Sequence, residues 1–101
     1  MVSNIYNIVE KAGKTGKIDR GINETTKAVE RGVAKLVVVA SDVNPKELVQ
    51  HIPILCKDKG IKFFEVDSKQ KLGISSGIGV SCSAIAVIES GEASKDIAAL
   101  K

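Results

Sequence analysis

Aromatic side chains are nearly missing from this 101-residue chain: it has no Trp, and Tyr6, Phe63 and Phe64 make up 3% of it. That excludes a reader that stacks successive unpaired bases on a row of rings. A nucleic-acid partner would have to be read by shape and by polar contacts to base edges. Cysteine is also sparse. Cys56 and Cys82 stand alone, with no CxxC and no Cys/His cluster, so neither a disulfide framework nor a zinc site is expected. They read as two reduced, small, buried side chains. The single histidine, His51, has no second histidine at ligand spacing, so no metal and no other cofactor is expected. The longest apolar stretch, Leu36–Ala40, is strand-sized, far short of the roughly 20 residues that span a bilayer. The first residues lack a basic segment followed by a long apolar one, so no signal peptide is expected. A soluble, cytoplasmic protein without a membrane partner follows from this reading.

A hydrophobic share of 44% suffices for one core, and the length fits one domain over residues 1–101. Fifteen Lys and Arg against 12 Asp and Glu give a net charge of +3, which permits a polyanionic partner without requiring one.

The periodicities alternate between helix and strand. Ile5, Ile8, Val9 and Ala12 keep helical spacing, with Gly13 as the stop. Ile18 suits a short edge strand. Asn23 reads as the N-cap of a second helix that runs through Val29 and closes at Gly32. Leu36–Ala40 is apolar on both faces, as an interior strand should be. Asn44-Pro45-Lys46-Glu47 reads as a helix start, followed by Leu48, Val49, Ile52 and Leu55 on one face. Pro53 is expected to kink or interrupt that helix, and Gly60 to end it. Residues 61–66 read as a strand, 68–72 as a helix, 84–88 as a buried strand and 90–101 as a last helix with Ala93, Ile97 and Leu100 inward. Gly73, Gly77 and Gly79 punctuate the stretch between. Helices alternating with buried strands predict a three-layer α/β/α sandwich with a small mixed sheet.

Two enzyme motifs fail on inspection. Gly73-Ile74-Ser75-Ser76-Gly77 fits G-x-S-x-G, but a helical stretch precedes the serine and His51 lies upstream, the reverse of a hydrolase elbow. Gly13-Lys14-Thr15 looks like the end of a phosphate-binding loop, yet Ile8 stands where its first glycine should be. No nucleophile, base and orienting group assemble, so the chain reads as non-catalytic.

The most informative stretch is Ile18-Asp19-Arg20-Gly21-Ile22-Asn23-Glu24-Thr25-Thr26-Lys27. Asn23 and Lys27 are four apart and share a helix face, with Glu24 close to it. They occupy the first turns, where free N–H groups and the positive dipole end favour a phosphate. Asn donates and accepts, Glu accepts from guanine N–H groups, and Lys donates to N7 or O6. From spacing alone, a cap plus a solvated face with one ion pair is the favoured reading.

Gly21-Ile22-Asn23-Glu24-Thr25-Thr26-Lys27-Ala28-Val29-Glu30-Arg31-Gly32 resembles the signature of the L-seven-Ae ribosomal protein family in its archaeal form. The likeness continues through Ala34-Lys35-Leu36-Val37-Val38-Val39-Ala40, Asp42-Val43-Asn44-Pro45, His51-Ile52-Pro53-Ile54-Leu55-Cys56 and Ser68-Lys69-Gln70-Lys71-Leu72-Gly73, in order and with matching spacing. The resemblance implies an α/β/α sandwich that binds kink-turns, sharply bent RNA elements built on tandem sheared G·A pairs. It implies guanine contacts for Asn23, Glu24 and Lys27, and backbone contacts for Arg20 and Gly21. Asn44, Leu48 and Lys69 would line the place of a flipped-out nucleotide, and Ile78, Gly79, Val80 and Ser81 would cap the bulge.

It further implies kink-turn partners in rRNA and in box C/D and H/ACA guide RNAs, other ribonucleoprotein proteins, and a role in ribonuclease P. A monomer is expected without RNA. Two positions depart from the pattern. Ile22 stands where a small residue or threonine is usual, and Gly79 where archaeal relatives often carry a carboxylate. Two rivals stay open: a ribosomal protein of the same fold dedicated to one rRNA site, and a small α/β domain that binds no RNA.

Overall fold

Leu36–Ala40 forms strand β2, and every residue in it is buried. This is the outcome expected of a run apolar on both faces. The computed structural model describes residues 2–42, 47, 49–77 and 79–99. With β1 (Lys17–Arg20), β3 (Lys62–Val66) and β4 (Ala84–Glu89), β2 builds a four-stranded sheet in the order β1-β4-β2-β3. β2 runs parallel to β3 and antiparallel to β4, and β4 is antiparallel to β1, so the sheet is mixed. Ile18 does lie in an edge strand.

Helices α2 (Ile22–Glu30) and α3 (His51–Lys59) cover one face of the sheet. Helices α1 (Val2–Thr15) and α4 (Lys69–Ser75) cover the other, and a 3-10 turn at Gly91–Ala93 packs against α1 and leads into α5 (Ser94–Ala98). The result is the three-layer α/β/α sandwich. Val9 and Ala12 from α1, Val29 from α2, Ile52 from α3 and Leu72 from α4 are fully buried against the strands. Each large aliphatic side chain so placed contributes about 1.5–3 kcal/mol of transfer free energy.

The element boundaries differ from the sequence expectations in informative places. Gly13 does not stop α1, which runs on to Thr15. A Cβ there would sit 3.3 Å from Ile18 Cδ1, so the glycine serves packing rather than termination. Asn23 is not the N-cap of α2: Gly21 holds that position, without a side-chain cap bond, and Asn23 lies inside the first turn. Gly32, by contrast, takes the left-handed conformation (φ 70°) just past the helix, as expected.

Pro53 causes no interruption. It is the third residue of α3, where its missing N–H would have had no helical partner. Gly60 ends α3 in the left-handed region, with φ 70°. Helix α4 starts from Ser68, whose Oγ accepts from Lys71 N–H at 3.2 Å, and it continues through Gly73 to Ser75.

The last helix is shorter than expected and is preceded by the 3-10 turn. There Gly91 (φ 55°) packs against Thr15, whose hydroxyl accepts from Glu92 N–H at 2.9 Å. The expected start at Asn44-Pro45-Lys46 lies outside the described residues, as does Leu100. Among the described residues no helix is long and apolar enough to cross a membrane. Cys56 and Cys82 are buried and unbridged, and burial pushes the Cys56 thiol up to about 11.

Candidate nucleic-acid interface

The register brings the candidate residues to one end of the sheet. The last residue of β1 lies opposite the start of β4 (Arg20 and Ile85), the end of β2 opposite the same start (Val39 and Ala84), and the ends of β2 and β3 side by side (Ala40 and Val66). Four segments leave from this end: Gly21 into α2, the stretch after β2, the turn into α4, and residues 76–83 into β4.

Backbone bonds stitch these segments together. Gly21 N–H donates to Ala84 O at 2.8 Å, Ala40 N–H to Ser83 O at 2.9 Å and Ser41 N–H to Val66 O at 2.7 Å. Lys69 is held twice: its N–H donates to Asp42 Oδ1 at 2.9 Å, and its carbonyl accepts from Cys82 N–H at 2.9 Å. Lys69 is thereby fixed beside the entry to β4.

Gly21 has φ 101° and ψ 159°, a region open essentially to glycine alone. A Cβ would meet no atom within 4 Å, so the requirement is one of backbone conformation and not of space. Its N–H continues the sheet while its carbonyl accepts from Thr25 N–H at 3.0 Å, which lets α2 begin directly at the strand's end. Asn23, Glu24 and Lys27 are all exposed. Lys27 Nζ lies 3.8 Å from Glu24 Oε1, so these two form an exposed i,i+3 ion pair beside the first turn.

The face behind them is braced by a contact that sequence reading missed. Thr26 Oγ1 donates to Ile22 O at 2.8 Å, and its oxygen lies 2.8 Å from His51 Nε2. With its one hydrogen already used, the hydroxyl must accept, which places a proton on Nε2. His51 is therefore a tie between α3 and α2. Thr25 beside it is fully buried, and its hydroxyl has no hydrogen-bond partner among the described residues.

Arg20 is bound from within. Its Nε and Nη2 both donate to Ser76 O, at 3.2 and 2.6 Å, at the carboxyl end of α4. The following loop is open to solvent: Gly79 (φ 73°), Val80 and Ser81 are exposed, Val80 by 66%. This rules out core packing for Val80. Ile78, Asn44 and Leu48 lie outside the described residues.

Tyr6 of α1 closes the neighbouring flank. Its hydroxyl donates to Asp67 Oδ1 at 2.6 Å and accepts from Ser68 N–H at 3.2 Å. Desolvation, then the Asp67 bond, pushes the phenol up to about 12, while the same bond holds the Asp67 carboxyl below its usual range.

The three-layer sandwich thus gathers a glycine-led helix start, a loop with Val80 exposed and a doubly anchored lysine at one sheet end. The model of the Ribosomal protein L7Ae/L30e/S12e/Gadd45 family matches residues 3–97, and this chain belongs to that family. Among solved structures it is similar to the Giardia lamblia 15.5kD RNA binding protein. The two are 32% identical, with a TM-score of 0.87 over 95% of this chain and 80% of that one. Family membership, rather than any missing group, sets an enzymatic reading aside.

Proposed function

We propose that this chain is a non-catalytic RNA-binding protein that recognises kink-turns and holds them bent. The observation that carries the reading is the exposed set Asn23, Glu24 and Lys27 in the first turns of α2, launched from a glycine at the sheet's end. This set can meet guanine edges of sheared G·A pairs: Asn23 and Lys27 donate and Glu24 accepts. The free N–H groups of the first turn lie where a phosphate is favoured. Lys69 and the exposed Val80 lie on other segments that leave the same end of the sheet, where an unstacked nucleotide would be covered. Similarity to a protein described as RNA-binding supports the same reading.

The mechanism is a shift of population. RNA exchanges between extended and kinked forms, and a protein that contacts only the kinked one makes it dominant in proportion to its affinity for that form. Such a protein seeds larger particles: the large ribosomal subunit, box C/D and H/ACA guide-RNA particles, and ribonuclease P are the settings we propose. The test is titration with one kink-turn RNA and with a copy whose G·A pairs are replaced by Watson–Crick pairs. Binding should be tight to the first and weak to the second. Equal affinity for both would reject the reading.

A further inference from the structure

We infer that the end of the molecule opposite the candidate kink-turn site is a second, sequence-independent RNA contact that takes the phosphate backbone of a flanking duplex. The inference rests on the proposed function above and extends it.

The candidate site carries little surplus positive charge. Lys27 is paired with Glu24, the Arg20 guanidinium keeps its charge while it bonds the neutral Ser76 carbonyl, and Lys69 and Lys71 share this end of the molecule with the carboxylates of Asp42 and Asp67. Yet the chain as a whole carries +3. Among the described residues, the topology gathers a group of cations at the other pole. α2 and α3 both run away from the site and end at the other pole, and β2 and β3 both begin there, with Leu36 level with Lys62. Arg31 closes α2, Lys57 and Lys59 occupy the last turn of α3, and Lys35 immediately precedes β2.

All four side chains are exposed, and none is ion-paired among the described residues. The carboxylates on the same two helix ends are Glu30 and Asp58 only. Glu89, nearby at the end of β4, lies opposite Lys17 in the sheet register. Compensation of helix dipoles accounts for cations at the ends of α2 and α3. It does not account for Lys35, which lies outside any helix, nor for the imbalance between the poles.

A group of exposed cations, unpaired among the described residues and with Val33 the exposed apolar side chain between Arg31 and Lys35, fits a polyanion read through its phosphates. The molecule measures 33 × 29 × 22 Å, so RNA extending beyond the bound element can reach this pole. The recognition site would then supply selectivity and the distal pole a salt-sensitive grip.

The experiment compares wild type with a Lys35→Gln/Lys57→Gln/Lys59→Gln variant, its fold checked by thermal melting. Three RNAs are titrated across salt concentrations: a minimal kink-turn, the same element with a long flanking duplex, and a plain duplex. The variant should bind the minimal element within about twofold of wild type. It should lose about tenfold on the extended RNA, and the log–log salt slope there should shrink by about one per cation removed. Unchanged affinity and slope on the extended RNA and the plain duplex would overturn the inference. Equal losses on minimal and extended RNA would also overturn it, since the pole would then act only as a distant field. Failure of wild type to prefer the kink-turn would reject the proposed function instead, and the plain-duplex arm would still read the pole.

Discussion

Arg20 and Ser76 are far apart in sequence, yet two N–H groups of the Arg20 guanidinium converge on the one Ser76 carbonyl, at 3.2 and 2.6 Å. The contact joins the end of β1 to the carboxyl end of α4, and so sets the loop that follows α4 against the start of α2. Arg20 thus has a positioning role that its charge alone does not suggest. Arg20→Ala should lower stability by about 1 kcal/mol, the scale of such a bond to an exposed group. It should weaken kink-turn binding further than Arg20→Lys, which keeps the charge but not the fork. Titration of both variants with thermal melts decides it; identical affinities would show that charge alone matters.

Lys27→Ala should leave the melting temperature nearly unchanged, because the Glu24–Lys27 pair is exposed. Kink-turn affinity should fall on the scale of a lost base-edge contact, about 1–3 kcal/mol. Asn23→Ala should behave the same way, since Asn23 does not cap α2. Gly21→Ala should show the reverse order of effects, costing about 1–3 kcal/mol of stability for the forced backbone angle. Normal RNA binding by Lys27→Ala would mean that this helix face is merely solvated.

Val80→Ala should keep the melting temperature within a few degrees, as its 66% exposure implies. Affinity should drop by about 1 kcal/mol, the scale of a lost apolar contact of that size. Kink-turns with a full second stem should respond differently from those closed by a terminal loop, because the bulge is presented differently. Paired titrations of the two RNA types measure this, and equal losses would remove the tuning role of the loop.

Thr25→Val should stabilise the protein. The change is nearly isosteric and removes a buried hydroxyl without a partner among the described residues, a group that costs about 1–3 kcal/mol. A fall in melting temperature would show that the hydroxyl does find a partner.

Tyr6 sets an alkaline limit on stability. Its phenol is raised from 10.0 to about 12, so the folded state retains a proton that the unfolded chain releases first. The resulting stability is complete below pH 10 and is lost as pH rises through about 12. Asp67, held low by the same bond, acts in the acid range: its contribution is present at neutral pH and is lost as the carboxyl protonates. Tyr6→Phe should flatten the stability profile above pH 10 and leave less to lose in acid. Denaturant melts across pH would show both, and an unchanged alkaline limb would assign it elsewhere.

Much of the architecture was legible because the strands announce themselves. Leu36–Ala40 and the start of β4 are apolar on both faces and are buried on both. Helix termini were harder to read, since a glycine can mark a stop or a contact. Gly32 and Gly60 are stops with positive φ; Gly13 and Gly73 are contacts inside helices. Asn23 looked like a cap by residue type, but the bond from Gly21 N–H to Ala84 O starts the helix one residue before Asn23. At the candidate site, the exposure of Asn23, Glu24 and Lys27 followed from their spacing. The Arg20–Ser76 and Thr26–His51 contacts did not, because each joins residues that only the tertiary fold makes neighbours.

Gly73 has a bearing on kinetics. Inside α4, the space a side chain would fill is occupied by the carbonyl of Val80, so the loop lies directly on the helix. The same loop is pinned at its far end where Cys82 N–H meets Lys69 O. A loop resting on a helix backbone arrives at its partner already shaped, so encounter should need little rearrangement and association should be fast. Variety among bound RNAs would then appear mainly in how long each complex survives.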